Sequence, residues 1–343
     1  MEDENVVTIK RIAELCGVSR GTVDRALNGR GRVNPDTAAA IQEMAEKLGY
    51  EPNPAGKALA ARKNKPVVGV VISSEGNPFF DEVLHGMEDA AKEYKIYGFQ
   101  VVYHRMKGYS VEKQLNLLAD IQGGINALII NPINDPLIAN KLNEMVDAGI
   151  FVITVNNDLE GTKRHSYVGS DYFNGGVTAC ALLQALIGDT AQIGIALGDR
   201  HVFGHALRLD GFRYRMQSVP RFQLIDIIEH EDDDFLAYDL TRQLLSKHPE
   251  VNAIASLAAG VYGICRAVMQ LPVEKRPVII AFDSVPTTVE MMEQGIIKAT
   301  IYQHPYRQGH LSLDLAFNYL VKGQVPESRA YIMKNEIKLI ENL

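Results

Sequence analysis

From Val67 onward the chain alternates short apolar runs with amphipathic stretches, and no other feature constrains its fold as strongly. VVGVVI precedes a stretch of helical spacing over Phe79–Tyr94, and FQVVYH precedes another over Val111–Gln122. ALIINP, FVITVN, QIGIALGD, FQLIDII, AIASLA, VIIAFD and KATIYQ continue the series. Continuous Val/Ile runs lack the in–out alternation of a half-exposed strand. They read as parallel strands buried on both faces, with helices as the crossovers. The class is α/β, doubly wound. A stretch of about 270 residues exceeds one comfortable core, so two similar parallel-sheet lobes are expected. Lobe one is placed at about 67–165 plus 305–330, and lobe two at about 166–304 plus the C-terminal tail, where Ser328–Leu343 supplies a last strand.

In such sheets ligands sit outside the carboxyl ends of the strands. Here those ends carry Ser73, Asn131, Asn156, Asp199, Asp283 and Gln303. Repeated hydrogen-bonding groups at strand ends suit a ligand with many hydroxyls. They also serve as ordinary turn chemistry, and the pattern fits both.

The first 50 residues have a different texture. Ile9, Ile12, Ala13 and Leu15 keep helical spacing, Gly17 stops that helix, and Ser19 stands at an N-cap position. A second helix over about Arg20–Leu27 puts Val23 and Leu27 inward. A third, over Pro35–Leu48, opens with Asn34 as its cap and Pro35 at its first position, and ends at Gly49. Three short helices within 45 residues form a helix-turn-helix pattern. Residues 51–66, EPNPAGKALAARKNKP, read as a linker around a marginal helix.

Charge then separates the two parts. Of 35 Lys/Arg and 42 Asp/Glu, 11 and 9 lie within residues 1–65, leaving 24 and 33 for the rest. Four arginines fall in SRGTVDRALNGRGRV alone. Arg20, Gly21, Asp24, Arg25 and Asn28 share the helix face opposite Val23 and Leu27. That face suits a major groove, where Arg pairs with guanine and Asn with adenine or phosphate. Ser19 and Thr22 at the helix start suit phosphate contacts, and Arg30 and Arg32 would reach the backbone.

TIKRIAELCGVSRGTVDRALNGRGRVNPDT, followed by LGYEPN, resembles the DNA-binding head of the lactose-repressor (LacI) family. Ala13, Gly17-Val18-Ser19, Thr22-Val23, Arg25, Asn28 and Gly49-Tyr50-x-Pro52-Asn53 fall in register. The resemblance implies that Arg20, Gly21 and Arg25 read bases, while Ser19, Thr22 and Asn28 position the backbone. Asp24 replaces a usual Ser; it either orients Arg20 or accepts a hydrogen bond from cytosine. The family's hinge helix folds on DNA and inserts a leucine into the minor groove, a position held here by Leu59. Gly56-Lys57 precede it where the family has Ala-Arg. Lys57 keeps the charge, and Gly56→Ala is expected to tighten operator binding.

Residues 67–343 resemble periplasmic sugar-binding proteins of the ribose type, through NPFF, IINP, TVNN, RLDGF, AFDSVP and ATIYQ. The resemblance implies that Asn77, Asn131, Asn156, Arg208, Asp283 and Gln303 hydrogen-bond a sugar. Phe79 or Phe80, and Phe235, would stack on its apolar face. Asn156 stands where an Asp is usual, and SLAAG (256–260) replaces an Asn-Asp pair, placing Leu257 and Ala258 at the contact edge. Fewer polar partners there point to a deoxy, methylated or otherwise less polar sugar, or a polyol.

No GxxxxGK[ST], strand-embedded GxGxxG or G-x-S-x-G occurs, so the chain is read as a non-enzyme without cofactor or metal. Cys16, Cys180 and Cys265 show no ligand spacing and read as inert thiols. MEDENVVTIK has no apolar core of a signal peptide, and no run approaches the roughly 18 residues of a membrane span. The expectation is a cytoplasmic, homodimeric transcriptional repressor of domain organisation 1–50, 51–66 and 67–343. Its partners would be operator DNA and a sugar-like effector; a non-sugar co-effector on the same architecture is the alternative. The resemblance leaves open whether ligand releases or promotes DNA binding.

Overall fold

The computed structural model describes residues 7–27, 33–50, 65–72, 76–200 and 202–343. Asn28, Arg30, Arg32, Gly56, Lys57, Leu59 and Ser73 lie outside the described residues. The chain divides into two units, Met1–Lys63 and Asn64–Leu343.

The first unit contains α1 (Ile9–Cys16), α2 (Arg20–Leu27) and α3 (Pro35–Lys47). Thr8 caps α1 by accepting the Arg11 N–H, and Gly17 ends it at φ 66, returning its own N–H to the Ala13 and Glu14 carbonyls. That left-handed turn is where glycine has no steric cost. Ser19 Oγ accepts the Thr22 N–H at 3.1 Å, capping α2. Asn34 caps α3, with Pro35 at its first position. Ile12, Ala13, Val23, Ala26, Ile41 and Ala45 form the buried centre. Ala26 takes the inward place expected of Leu27, which is half-buried beside it.

The second unit begins with β1 (Val67–Ile72), α4 (Pro78–Tyr94), β2 (Gln100–Arg105), α5 (Val111–Ile121) and β3 (Ala127–Ile130). α6 (Pro136–Asp147), β4 (Phe151–Val155), β5 (Ser166–Ser170), α7 (Tyr172–Ile187), β6 (Ala191–Leu197) and α8 (Phe203–Met216) follow. Next come β7 (Phe222–Glu229), α9 (Asp234–Lys247), β8 (Ala253–Ser256), α10 (Val261–Val268) and β9 (Val278–Phe282). The unit closes with α11 (Pro286–Glu293), β10 (Ile297–Tyr302), α12 (Pro305–Phe317), β11 (Ala330–Met333) and β12 (Glu336–Lys338).

These strands form two six-stranded sheets. The first runs β11-β5-β4-β3-β1-β2, with every pairing parallel. The second runs β12-β10-β9-β8-β6-β7 and is parallel except for the β10–β12 pair. Apart from the outer tail strands, the two orders are the same, so the sheets are repeats of one design. Neighbouring residues on β9 show the double layer: Ile279 packs with Ile254 and Ile264 on one face, Ile280 with Ile195 and Phe212 on the other.

The chain passes between the sheets at Asp171, at Gln303–His304 and at Lys334–Asn335. β5, expected beyond the lobe boundary at 165/166, lies in the first sheet beside β4. The tail serves both sheets, giving β11 to the first and β12 to the second. α7 and α8 meet through glycine: a Cβ on Gly176 would collide with the Arg208 carbonyl, and one on Gly211 with the Phe173 carbonyl. No described helix is long and apolar enough to cross a membrane.

Candidate functional site

At the carboxyl ends of the strands, within the second unit, lies a cavity of about 630 Å³. Asp283, just beyond β9, and Asn156, just beyond β4, stand at φ 64 and 61. Asp and Asn enter this left-handed region more readily than other side-chain-bearing residues. The turn at Asn156 is fixed from outside, because its carbonyl accepts the hydroxyls of Tyr167 at 2.7 Å and Tyr172 at 2.8 Å. The turn at Asp283 is held by its N–H to the Ile301 carbonyl and by Thr300 Oγ1, which donates to the Asp283 carbonyl at 2.8 Å.

Gln303 Nε2 donates to both oxygens of Asp283, at 2.9 and 3.0 Å. Arg208, only 5% exposed on α8, donates from Nη1 to the Leu257 carbonyl at 2.7 Å. Its guanidinium carbon stands 4.1 Å from the Phe282 ring centre and 5.1 Å from that of Tyr172. Planar stacking and a carbonyl contact together fix its orientation. Burial pushes the Asp283 carboxyl up to about 6, against the lowering pull of Arg208 and of the Gln303 bond. Burial also pulls Arg208 below its ordinary range, while Asp283 and Tyr172 hold it up. A buried cation and a buried carboxyl in one wall make a strong, directional site for hydroxyl groups.

On the opposite wall Asn77 caps α4 by accepting the Phe79 N–H at 3.1 Å. Phe79 and Phe80 meet edge to face at 5.2 Å and line the cavity while remaining packed. Asn77, Phe79, Phe80, Asn156, Arg208, Asp283 and Gln303 thus share one cavity. Two expected residues do not. Asn131 is fully buried behind Asn156, its Nδ2 directed to the Val155 carbonyl at 3.4 Å. Phe235 is 86% exposed on the first turn of α9 and does not line the cavity. Leu257 is not at the contact edge either: its side chain is core, and only its carbonyl reaches Arg208.

The sequence reading also missed cavity residues. Lys107, Tyr109, Tyr172 and His205 line it, as does the run Glu231-Asp232-Asp233-Asp234. Burial holds the His205 imidazole below its ordinary value, with Asp232 opposing. The signal for the run was its place between an apolar strand and a helix, where doubly wound folds put ligands. This neighbouring loop brings polar side chains to the wall that Ala258 also lines, where the sequence reading expected few. Cys180 and Cys265 are buried, their thiols pushed up to about 11 and 12, so neither offers a thiolate.

In the first unit Ser19, Arg20, Gly21 and Arg25 are exposed on α2, and Thr22 and Asp24 are half-buried. Ser19 Oγ lies 2.9 Å from Thr22 Oγ1, which also receives Arg25 Nη2 at 3.4 Å. The Asp24 charge, after burial, helps raise the Tyr50 phenol above its ordinary value. A side chain at Gly21 would meet neighbours only at ordinary contact distance.

Comparison with known proteins matches residues 8–53 to bacterial regulatory proteins of the lacI family and residues 68–324 to the periplasmic binding protein domain. The chain is 26% identical over 333 residues to the ribose operon repressor of Bacillus subtilis (strain 168), covering 94% of each. It is also 26% identical to catabolite control protein A of Priestia megaterium, over 94% of this chain and 95% of that one. A solved glucose-galactose binding protein from Geobacillus stearothermophilus shares the fold, with a TM-score of 0.74 at 24% identity over 81% of this chain and 98% of that one. With a helix-turn-helix unit of the lacI type at one end, this chain belongs, through the two-sheet domain that fills the rest, to the periplasmic binding protein domain family.

Proposed function

We propose that this protein is a cytoplasmic, homodimeric transcriptional repressor without catalytic activity, whose grip on operator DNA is set by a small sugar-like molecule. One observation carries the reading: a helix-turn-helix unit with exposed Arg20 and Arg25 is fused to a two-sheet unit whose polar cavity joins Arg208, Asp283 and Gln303. Arg20, Gly21 and Arg25 read base edges; Ser19, Thr22 and Asn28 seat the helix on phosphates. Asp24, held near Tyr50, shapes that face, while Arg32, Lys57 and Leu59 extend the contact along the duplex. Two copies meet a pseudo-palindromic operator, as two-fold symmetry requires.

In the second unit the ligand draws the sheets together about their three crossings, two of which adjoin Gln303 and Tyr172. The ribose operon repressor and the glucose-galactose binding protein carry sugars in their names, which supports a sugar or polyol as effector. A dye-based thermal shift of the full chain against pentoses, hexoses, polyols and sugar phosphates tests this, since the chain has no Trp to report binding. A ligand at 100 times its dissociation constant stabilises the native state by about 2.7 kcal/mol. One clear hit supports the reading, and silence across the panel rejects a sugar effector.

A further inference from the structure

The three crossings between the sheets are tied to one another by side chains that stand outside the cavity lining. Gln308, on α12, donates from Nε2 to the Gln303 carbonyl at 2.9 Å and to Ser170 Oγ at 3.4 Å. It thereby joins the second crossing to the end of β5, where the first begins. Asn335 Nδ2 donates to the Asp171 carbonyl at 3.1 Å and joins the third crossing to the first. His304, where the chain turns at φ 56, places Nε2 at 3.5 Å from Glu336 Oε2, just past the third crossing. Each crossing thus meets both of the others.

Gln308 makes the deepest of these ties. It is fully buried, and its partners Ser170 and Gln303 are 3% and 1% exposed, so water does not stand in for its amide. The helical ladder of α12 starts at the His304 carbonyl, which accepts the Gln308 N–H. The Gln303 carbonyl lies one residue earlier, and the Gln308 side chain supplies its bond. Gln303 in turn directs its own Nε2 at both oxygens of Asp283. A continuous line of hydrogen bonds therefore runs from Ser170 in the first sheet, through Gln308 and Gln303, to Asp283 beyond β9 in the second.

We propose that Gln308 is a positioning residue of the effector site: it touches no effector, and by binding the second crossing to the first it sets the register in which Gln303 presents its amide to Asp283. Its effect on affinity rests on the reading of the cavity as the effector site; its effect on Asp283 does not, and the two are measured separately.

The first measurement needs no ligand. The Gln303 bond lowers the Asp283 carboxyl against the rise that burial imposes, with Arg208 also lowering it and Glu82 raising it. Asp283 is titrated in the full chain through carbon-13-labelled Asp carboxyl signals, assigned with Asp283→Asn. Gln308→Met keeps an unbranched side chain and removes the donor, leaving Arg208 and Glu82 unaltered. The Asp283 midpoint should move up by about half a pH unit or more, the direction of a weakened bond to the ionised form. Gln303→Met should move it the same way, and the double variant no further, because both changes act on one bond. A Gln308 that only packs α12 would lower the melting temperature and leave the midpoint in place. Ser170→Ala, which removes one acceptor and little bulk, should give a smaller shift of the same sign and serves if Gln308→Met does not fold. Calorimetric titration with D-ribose, D-glucose, D-galactose and myo-inositol then reads affinity. Whichever binds the native chain should bind Gln308→Met about tenfold more weakly. An unmoved midpoint in the variants that fold, additive shifts in the double variant, or undiminished binding by Gln308→Met overturns the inference. Silence of all four compounds counts against the sugar effector alone, and the Asp283 midpoint still decides the role of Gln308.

Discussion

Asp283 accepts both bonds that Gln303 Nε2 directs at it, and burial still pushes its carboxyl up to about 6. The unfolded value is lower, about 3.9, so between the two the folded protein holds the extra proton. The contribution of this group to stability therefore falls as pH rises through that window. Ligand donors bind the ionised form better, so affinity moves in the opposite sense. For an effector that does not itself titrate, affinity should rise about tenfold from pH 5 to pH 7 and lose that slope in Asp283→Asn. Flat affinity in the native protein would remove Asp283 from ligand contact. In the other unit, Arg25→Ala should weaken operator binding by about 1–3 kcal/mol while leaving effector binding intact. Unchanged specific binding would take α2 out of the groove. Asn156, Asp283 and Gln303 were legible because the carboxyl strand ends of such a fold face one side, whereas Asn77 and Arg208, on helices, entered through the family resemblance alone. Phe235 was not legible, since only the phase of α9 turns it to solvent. The run 231–234 was passed over, although its place between an apolar strand and a helix is where such folds put ligands.

Helices and strands obey the same division. Long Val/Ile runs announced their strands, and capping residues announced α2 and α3 within a residue or so of where they begin. β5 escaped because Ser166-Tyr167-Val168-Gly169-Ser170 lacks such a run, although every residue of it is buried between β4 and β11. Its burial is decided by neighbours far along the chain, which local pattern does not contain. The tail was legible as a strand but not as two, because short strands three residues apart pair with different sheets. The α7–α8 contact gives an element-scale prediction. A methyl at Gly176 presses on the Arg208 carbonyl, so Gly176→Ala should cost roughly 1–3 kcal/mol of stability. It should also weaken effector binding, because the displaced backbone carries Arg208. Calorimetric melting and titration of the same variant check both effects. A variant that melts and binds like the native protein would show that the two helices have slack.

For the whole molecule, the claim is that two binding events on one chain are coupled. Coupling is reciprocal: whatever factor the effector applies to operator affinity, operator DNA must apply to effector affinity. The repeated sheet design gives the second unit a way to respond, since only three short crossings join the sheets and Gln303, a cavity residue, lies in one of them. The most direct test is fluorescence anisotropy of labelled duplex selected from random sequence by the full chain, measured with and without the effector found by titration. The account predicts specific binding to a pseudo-palindromic site and an effector-dependent change in its affinity of about fivefold or more, matched by the reverse change in effector affinity. Failure to select any duplex, or an operator affinity that stays the same when the cavity is saturated, would contradict it.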